Sequence, residues 1–209
     1  MCSSDLLGVL LEIEPLLDLR DFLDLTGRAY DYWLRLGNDY PKLEALLSDL
    51  EDHRHLARSI DAVIDPQGKI RDDATPELGE IRQQLAIHHH RIEAEFRRLL
   101  RSPDVRKALR YPQPTMSGDH HVLPVAVNYR HLVVGVVHRA SSTGETLYIE
   151  PAKVAEIAAE VAVLRSAESR ELRKVLRRLT SMIAGVAPRL LKALAVLAEL
   201  DFKIGRAHV

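Results

Sequence analysis

Cysteine is almost missing from this 209-residue chain: Cys2 stands alone, which excludes an internal disulfide and fits a reducing cytoplasm. No window holds the eighteen or so uncharged apolar residues of a membrane span, so no membrane association is expected. The opening MCSSDLLGVLLEIEP lacks the basic segment that starts a secretory signal. An excess of one charge is lacking as well. With 29 Lys and Arg against 30 Asp and Glu, bulk charge names no partner. Several catalytic motifs are also absent. No G-x-x-x-x-G-K-[ST] run is present to hold nucleotide phosphates, and no G-x-S-x-G elbow to present a nucleophilic serine. No carboxylate pair lies among apolar neighbours that would raise a pKa for acid–base work. These absences predict a segment that is not an enzyme, with no catalytic residues and no cofactor of its own.

What is present is a soluble, globular composition, 46% apolar and 28% charged, long enough for one or two domains with a real core. Apolar residues recur every three or four positions from Glu14 to Leu36, which predicts an amphipathic helix ended by Gly37-Asn38. Shorter helices are expected over Pro41–Ser48 and Asp49–Ile64, then a turn at Asp65-Pro66-Gln67-Gly68. Thr75 is a natural N-cap for a long helix reaching about Arg101, with Pro76 in its first position. Ser102-Pro103 restarts a short helix through Leu109. From Val122 to Pro151 the period drops to two, and this predicts three or four short antiparallel strands. Asn128–His131 and Ser141–Gly144 supply the turns, with Gly144 at positive φ, and Pro151 falls in the first turn of the next helix. A helix from Ala152 to about Ala184 would be roughly 50 Å long. Gly185 and Pro188 then precede a last helix, Pro188–Phe202. The expected fold is mainly α: a helical core with long lever helices and a small antiparallel β clamp-like insertion at about 120–150.

The two ends are related at the nucleotide level. Ile204–Val209 can be encoded by a string whose reverse complement, begun at GTG, reads Met-Cys-Ser-Ser-Asp with Leu following, which is Met1–Leu6. One ligated sequencing adapter at both ends accounts for this. Residues 1–6 and 204–209 are therefore expected to be adapter-derived scars, and the natural segment of about 7–203 a piece of a longer protein. The coding DNA tests this.

Histidines do not advertise a metal site. His88-His89-His90 diverge on a helix by about 100° each, and His120-His121 face opposite sides of a strand. No metal is expected. His131 and His138 suit contacts better than ligation; a His-dependent metal hydrolase would instead carry zinc or manganese through purification. Charge distribution says more than net charge. Arg97, Arg98, Arg101, Arg106, Lys107 and Arg110 form one basic cluster, and Arg165, Arg170, Arg173, Lys174, Arg177 and Arg178 a second. Such clusters form either a solvated helix face or a phosphate-binding surface, and arginine favours the second.

Ordered blocks carry a family resemblance. They are Val122-Leu123-Pro124-Val125, Tyr129-Arg130, Gly135-Val136-Val137-His138, and Gly144-Glu145-Thr146-Leu147-Tyr148-Ile149-Glu150-Pro151. Upstream stand Ile64-Asp65-Pro66-Gln67-Gly68 and Asp72-Asp73-Ala74; downstream stands Leu197-Ala198-Glu199-Leu200-Asp201-Phe202. In this order and spacing the chain resembles the bacterial MutS family, type-two branch, over most of residues 10–202. It departs from the family pattern at Ala126, where the family has Lys, at Arg139, where it has Asp, and at Asp119-His120-His121, where it has basic residues.

The resemblance implies a helical core and lever, 7–119, a small clamp-like β subdomain, 120–150, and a returning lever and core helix, 151–203. It implies a longer parent with an ABC-type ATPase using ATP and Mg, and a possible Smr nuclease domain, both beyond Phe202. Such a parent would be a cytoplasmic homodimer that grips branched or mismatched DNA, or stalled ribosomes, and suppresses recombination. This segment would be its non-catalytic gripping part. Arg130, His131, His138, Arg139, Ser141, Ser142 and Thr143 would be the contacts of the β tip. The alternative is a helical scaffold that binds a protein partner and no nucleic acid.

Overall fold

The computed structural model describes residues 10–36 and 40–207. The expected stop at Gly37-Asn38, the scar at residues 1–6 and the last two residues of the one at 204–209 thus lie outside the described residues. The elements are α1 (Ile13–Leu36), α2 (Pro41–Leu47), α3 (Arg54–Asp61), α4 (Pro76–Arg101), α5 (Pro103–Ala108), β1 (Thr115–Ser117), β2 (His120–Ala126), β3 (Gly135–Ala140), β4 (Thr146–Pro151), α6 (Ala152–Ala184) and α7 (Ala187–Ala207). The mainly helical fold with a small antiparallel sheet is as expected. No single helix among the described residues is long and apolar enough to cross a membrane.

The chain divides into two compact units. The first is residues 1–78 with 171–209, the second 79–170. Boundaries drawn from the sequence near 119 and 151 both fall inside the second unit, because α5 and the start of α6 contribute to the same core as the sheet.

The first unit is all helix around a Leu and Ile core. Leu16 and Leu23, two turns apart on α1, meet Leu56, Ile60 and Ile64 from the α3 region, and Leu176, Leu179 and Ile183 from α6. A smaller cluster joins Leu47, Leu50 and Ala193 beside Tyr30 and Trp33. The third helix is shorter than its apolar spacing suggests. Asp52 Oδ1 accepts the Arg54 N–H at 2.9 Å, so the helix starts only after this turn, and Leu50 is freed to reach its own cluster. At the other end Ile64 bridges Ile70 across the Asp65–Gly68 turn, where Gly68 has φ 77° and Asp65 Oδ1 accepts the N–H of Gln67 and Lys69. Arg54 also grips Asp31 of α1 through two bonds, 2.7 and 2.9 Å. A Cβ on Gly27 would strike the stem of that arginine. Arg54, by its side chain first and its backbone N–H second, holds the Asp52 carboxyl down to about 2.

The second unit is built on a four-stranded antiparallel sheet of order β1-β2-β4-β3. Thr75 does cap α4: its Oγ1 accepts the Leu78 N–H at 3.1 Å. Leu85, Ile92 and Phe96 of α4 pack with Val105 and Ala108 of α5, with Leu123, Val125 and Ile149 of the sheet, and with Val154, Ile157 and Val161 of α6. Two local expectations differ. The turn expected at Asn128–His131 is a longer 3-10 segment, Val127–Leu132, held because Arg130 donates to the Val133 and Gly135 carbonyls at 3.0 and 3.2 Å. Pro151 closes β4 instead of opening α6, since it pairs with Gly135 across the sheet. At that pairing a Cβ on Gly135 would collide with the Glu150 carbonyl, so only glycine allows β3 to come this close. The last helix runs on to Ala207, past the expected end at Phe202.

Candidate nucleic-acid interface

The seven tip residues expected from the sequence lie together on or beside β3 and its two connections, but they do different things. Arg130 is committed to the two backbone carbonyls named above. His138 Nε2 lies 2.8 Å from Glu150 Oε2. Ser141 closes the β3–β4 turn: its Oγ accepts the Thr146 N–H at 3.1 Å and its carbonyl accepts the Gly144 N–H at 2.9 Å, with Gly144 at φ 73° as expected. His131, Ser142 and Thr143 are exposed. Arg139 is exposed too, its guanidinium 3.9 Å above the Tyr148 ring. Burial first, and Tyr148 second, push the Tyr111 hydroxyl above its ordinary value. Of the seven, Arg139, His131, Ser142 and Thr143 are exposed, with Thr143 Oγ1 3.4 Å from Ser141 Oγ.

The basic cluster of α4 and α5 is partly neutralised. Arg98 pairs with Glu95 at 2.6 Å and holds that carboxyl below its usual range; Arg97 pairs with Glu93 and Arg110 with Glu145. Lys107 lies over Tyr129. Arg101, Arg106, Arg139, Arg165 and Arg170 are exposed and have no ion-pair partner among the described residues. In the second unit thirteen Lys and Arg stand against ten Asp and Glu, a net of +3, and the first unit is at −4.

Spacing alone reads the histidines as solvated, and the structure places several of them in specific environments. His88, His89 and His90 do diverge. His88 reaches Glu160 at 2.7 Å, His89 lines a cavity, and His90 is 3.6 Å from Glu93. That cavity, about 670 Å³, is also lined by Arg97, Phe96, Met116, His121 and Arg165. Glu93 lines it as well and pairs with Arg97 at 3.6 Å, so its edge carries both charges. His120 and His121 take opposite faces of β2, as alternation requires. His121 faces Phe96 at 6.3 Å between ring centroids, and His120 stacks on His138 at 3.8 Å. Spacing does not foretell the meeting of His120 with His138 and Glu150. The one available signal was that three strands of one small sheet each carry a potential ligand, and this does not fix register.

No family model matches the chain. Curated relatives do. It is 34% identical over 201 residues to the protein named Endonuclease MutS2 of Pelotomaculum thermopropionicum, covering 96% of this chain and 26% of that one. The Symbiobacterium thermophilum protein of the same name is 34% identical over 195 residues, covering 93% and 24%. That of a Geobacillus strain is 32% identical over 207 residues, covering 99% and 26%. The chain thus spans about a quarter of the length of these relatives. The match runs through both helical stretches and the sheet between them, so the resemblance carried by the strand blocks extends to the whole: this chain is a relative of one segment of the MutS2 proteins.

Proposed function

We propose that this chain is the non-catalytic core, lever and clamp part of a longer MutS-like protein, and that it grips branched or mismatched DNA, or a ribosome, by phosphate contacts. The observation that carries this reading is the set of exposed guanidinium groups without acid partners in the second unit, Arg101, Arg106, Arg139, Arg165 and Arg170. Free arginines give affinity without sequence preference, because phosphates are the same everywhere along a strand. On this reading the parent is a homodimer whose ATPase, using ATP and Mg, alternately tightens and loosens the grip. A nuclease activity and the suppression of recombination belong to the parent.

Titrating the 209-residue chain with four-way branched DNA at two salt concentrations tests the proposal. Binding should weaken steeply with salt. Exchanging Arg106 and Arg139 for Gln should flatten the logarithmic slope by about 0.9 for each phosphate that is no longer neutralised. A salt-independent affinity, or an unaltered slope in the variant, overturns it. One observation favours the second reading, a protein-binding scaffold. In the first unit a groove of about 480 Å³ is lined by Leu11, Leu19, Phe22, Leu190, Leu191 and Leu194, with Leu191 and Leu194 exposed. That reading requires the DNA titration to show no salt-dependent binding.

A further inference from the structure

The sheet of the second unit assembles three side chains that the proposed grip leaves unused. Glu150, near the end of β4, is 3% exposed. Its Oε2 lies 2.8 Å from His138 Nε2 and 3.0 Å from His120 Nδ1. Its Oε1 is buried and has no hydrogen-bond partner among the described residues. A carboxylate served through one oxygen while the other is dry and unpaired is poorly satisfied.

The backbone is arranged to produce this meeting. Val137 pairs with Ile149 and Arg139 with Tyr148, so two steps along β3 answer one along β4. The extra residue is His138. Such a bulge turns a side chain out of the regular alternation, and here it turns the imidazole onto the carboxylate of the neighbouring strand. Gly135 draws β3 against the Glu150–Pro151 backbone at the same end of the sheet. His120, the first residue of β2, completes the set from the other side of β4.

We propose that His120, His138 and Glu150 form a binding site for a divalent transition-metal ion, with zinc(II) the best fit. Two imidazoles and a carboxylate are a ligand set that zinc accepts, three protein ligands leaving a fourth position for water. Magnesium and calcium prefer oxygen ligands throughout, and the two imidazoles disfavour them. The three ligand atoms lie within 4.8 Å of one another. Tetrahedral bonds of about 2.0–2.1 Å set ligand atoms about 3.3 Å apart, so loading needs only small side-chain movements. The His120 side chain is 49% exposed and free to make them. Its ring now stacks on that of His138, 3.8 Å between centroids and within 23° of parallel. Binding replaces this stack with convergence on the ion, which also gives the second carboxylate oxygen a positive neighbour. The ion would fasten β2, β4 and β3 together at one point.

The test uses the 209-residue chain, stripped with a chelator and titrated with zinc chloride by calorimetry and with cobalt(II) by visible absorption. One equivalent should bind in the micromolar range or tighter, with cobalt bands of a four- or five-coordinate site. His120→Ala, at an exposed strand end, should weaken binding at least about tenfold while leaving the far-ultraviolet dichroism unchanged. Glu150→Gln should do the same, and should it fail to fold the His120 variant decides alone. The joint exchange of His88, His89 and His90 for Ala should leave the affinity as it was. Absence of saturable binding, unaltered binding in His120→Ala, or loss of binding in the triple variant each overturns the site.

Discussion

The two units hold together by different means. The first is made of helices whose Leu and Ile side chains interlock. The second depends on two backbone details of β3: Gly135 at its start, where no side chain fits, and the bulge at His138. Their chemistry differs in parallel. The first unit is net acidic and the second net basic, and seven of the ten histidines belong to the second. A helical core tolerates exchange among residues of one kind, whereas a sheet with close strand contacts does not. The residues proposed to bind a ligand belong to the unit with the close strand contact at Gly135.

Four measurements break or sharpen this contrast. Leu23→Ala removes a fully buried side chain from the first unit and should cost about 4 kcal/mol. Hydrogen exchange should show the loss in residues 10–78 and 171–207; equal loss across 79–170 would erase the distinction between the units. Gly135→Ala should cost about 2–3 kcal/mol by forcing β3 away from Glu150. Here exchange should quicken in β3 and β4 and stay slow in α1 and α3.

The third and smaller effect concerns pH. Burial lowers the pKa of His53 in the first unit, with Glu51 opposing. The unfolded chain therefore takes up this proton first as pH falls, and stability drops as pH goes below about 6.5. His53→Leu should lose less stability between pH 7 and pH 5 than the parent, read from urea midpoints. Smallest is Asp52, whose carboxyl is lowered to about 2. Its contribution is complete above the ordinary carboxylate value and fades as pH falls toward 2. With the side chain 35% exposed, solvent screening limits it to about 1 kcal/mol or less. Asp52→Asn should remove that acid sensitivity and leave the second unit untouched.

Long periodic stretches were readable from the residues alone. The helix foreseen from Ala152 to Ala184 has those ends, and the first helix begins one residue from its expected start, because an apolar stripe sustained over many turns has one solution. Short elements were less legible. Leu50, Leu56, Ile60 and Ile64 satisfy helical spacing, yet Leu50 belongs to a different cluster and Ile64 to a bridge, which spacing cannot distinguish. At the candidate site, Arg139 and the hydroxyls of the β3–β4 turn lie at the surface, where a run of Ser, Thr and Gly leads one to look for a turn. The occupation of Arg130 by backbone carbonyls was not legible, nor was the convergence of His120 and His138. Both rest on strand register and on one bulge, and register is a property of paired strands rather than of either strand alone.

The order of assembly follows from where the chain enters and leaves the second unit. Thr75 Oγ1 and Glu171 Oε1 are 3.4 Å apart, so the polypeptide departs from the helical unit and rejoins it at almost the same place. Every partner needed by residues 79–170 has been synthesised once Arg170 emerges from the ribosome. The N-terminal helices must wait longer, since Leu176, Leu179, Ile183 and Leu190 of their core come last. A nascent chain halted after Arg170 should therefore present a finished sheet domain preceded by three helices still exposed to protease. The closely spaced junction also means that ordering the intervening stretch early leaves only a short gap to close, which lowers the entropy cost of the final step.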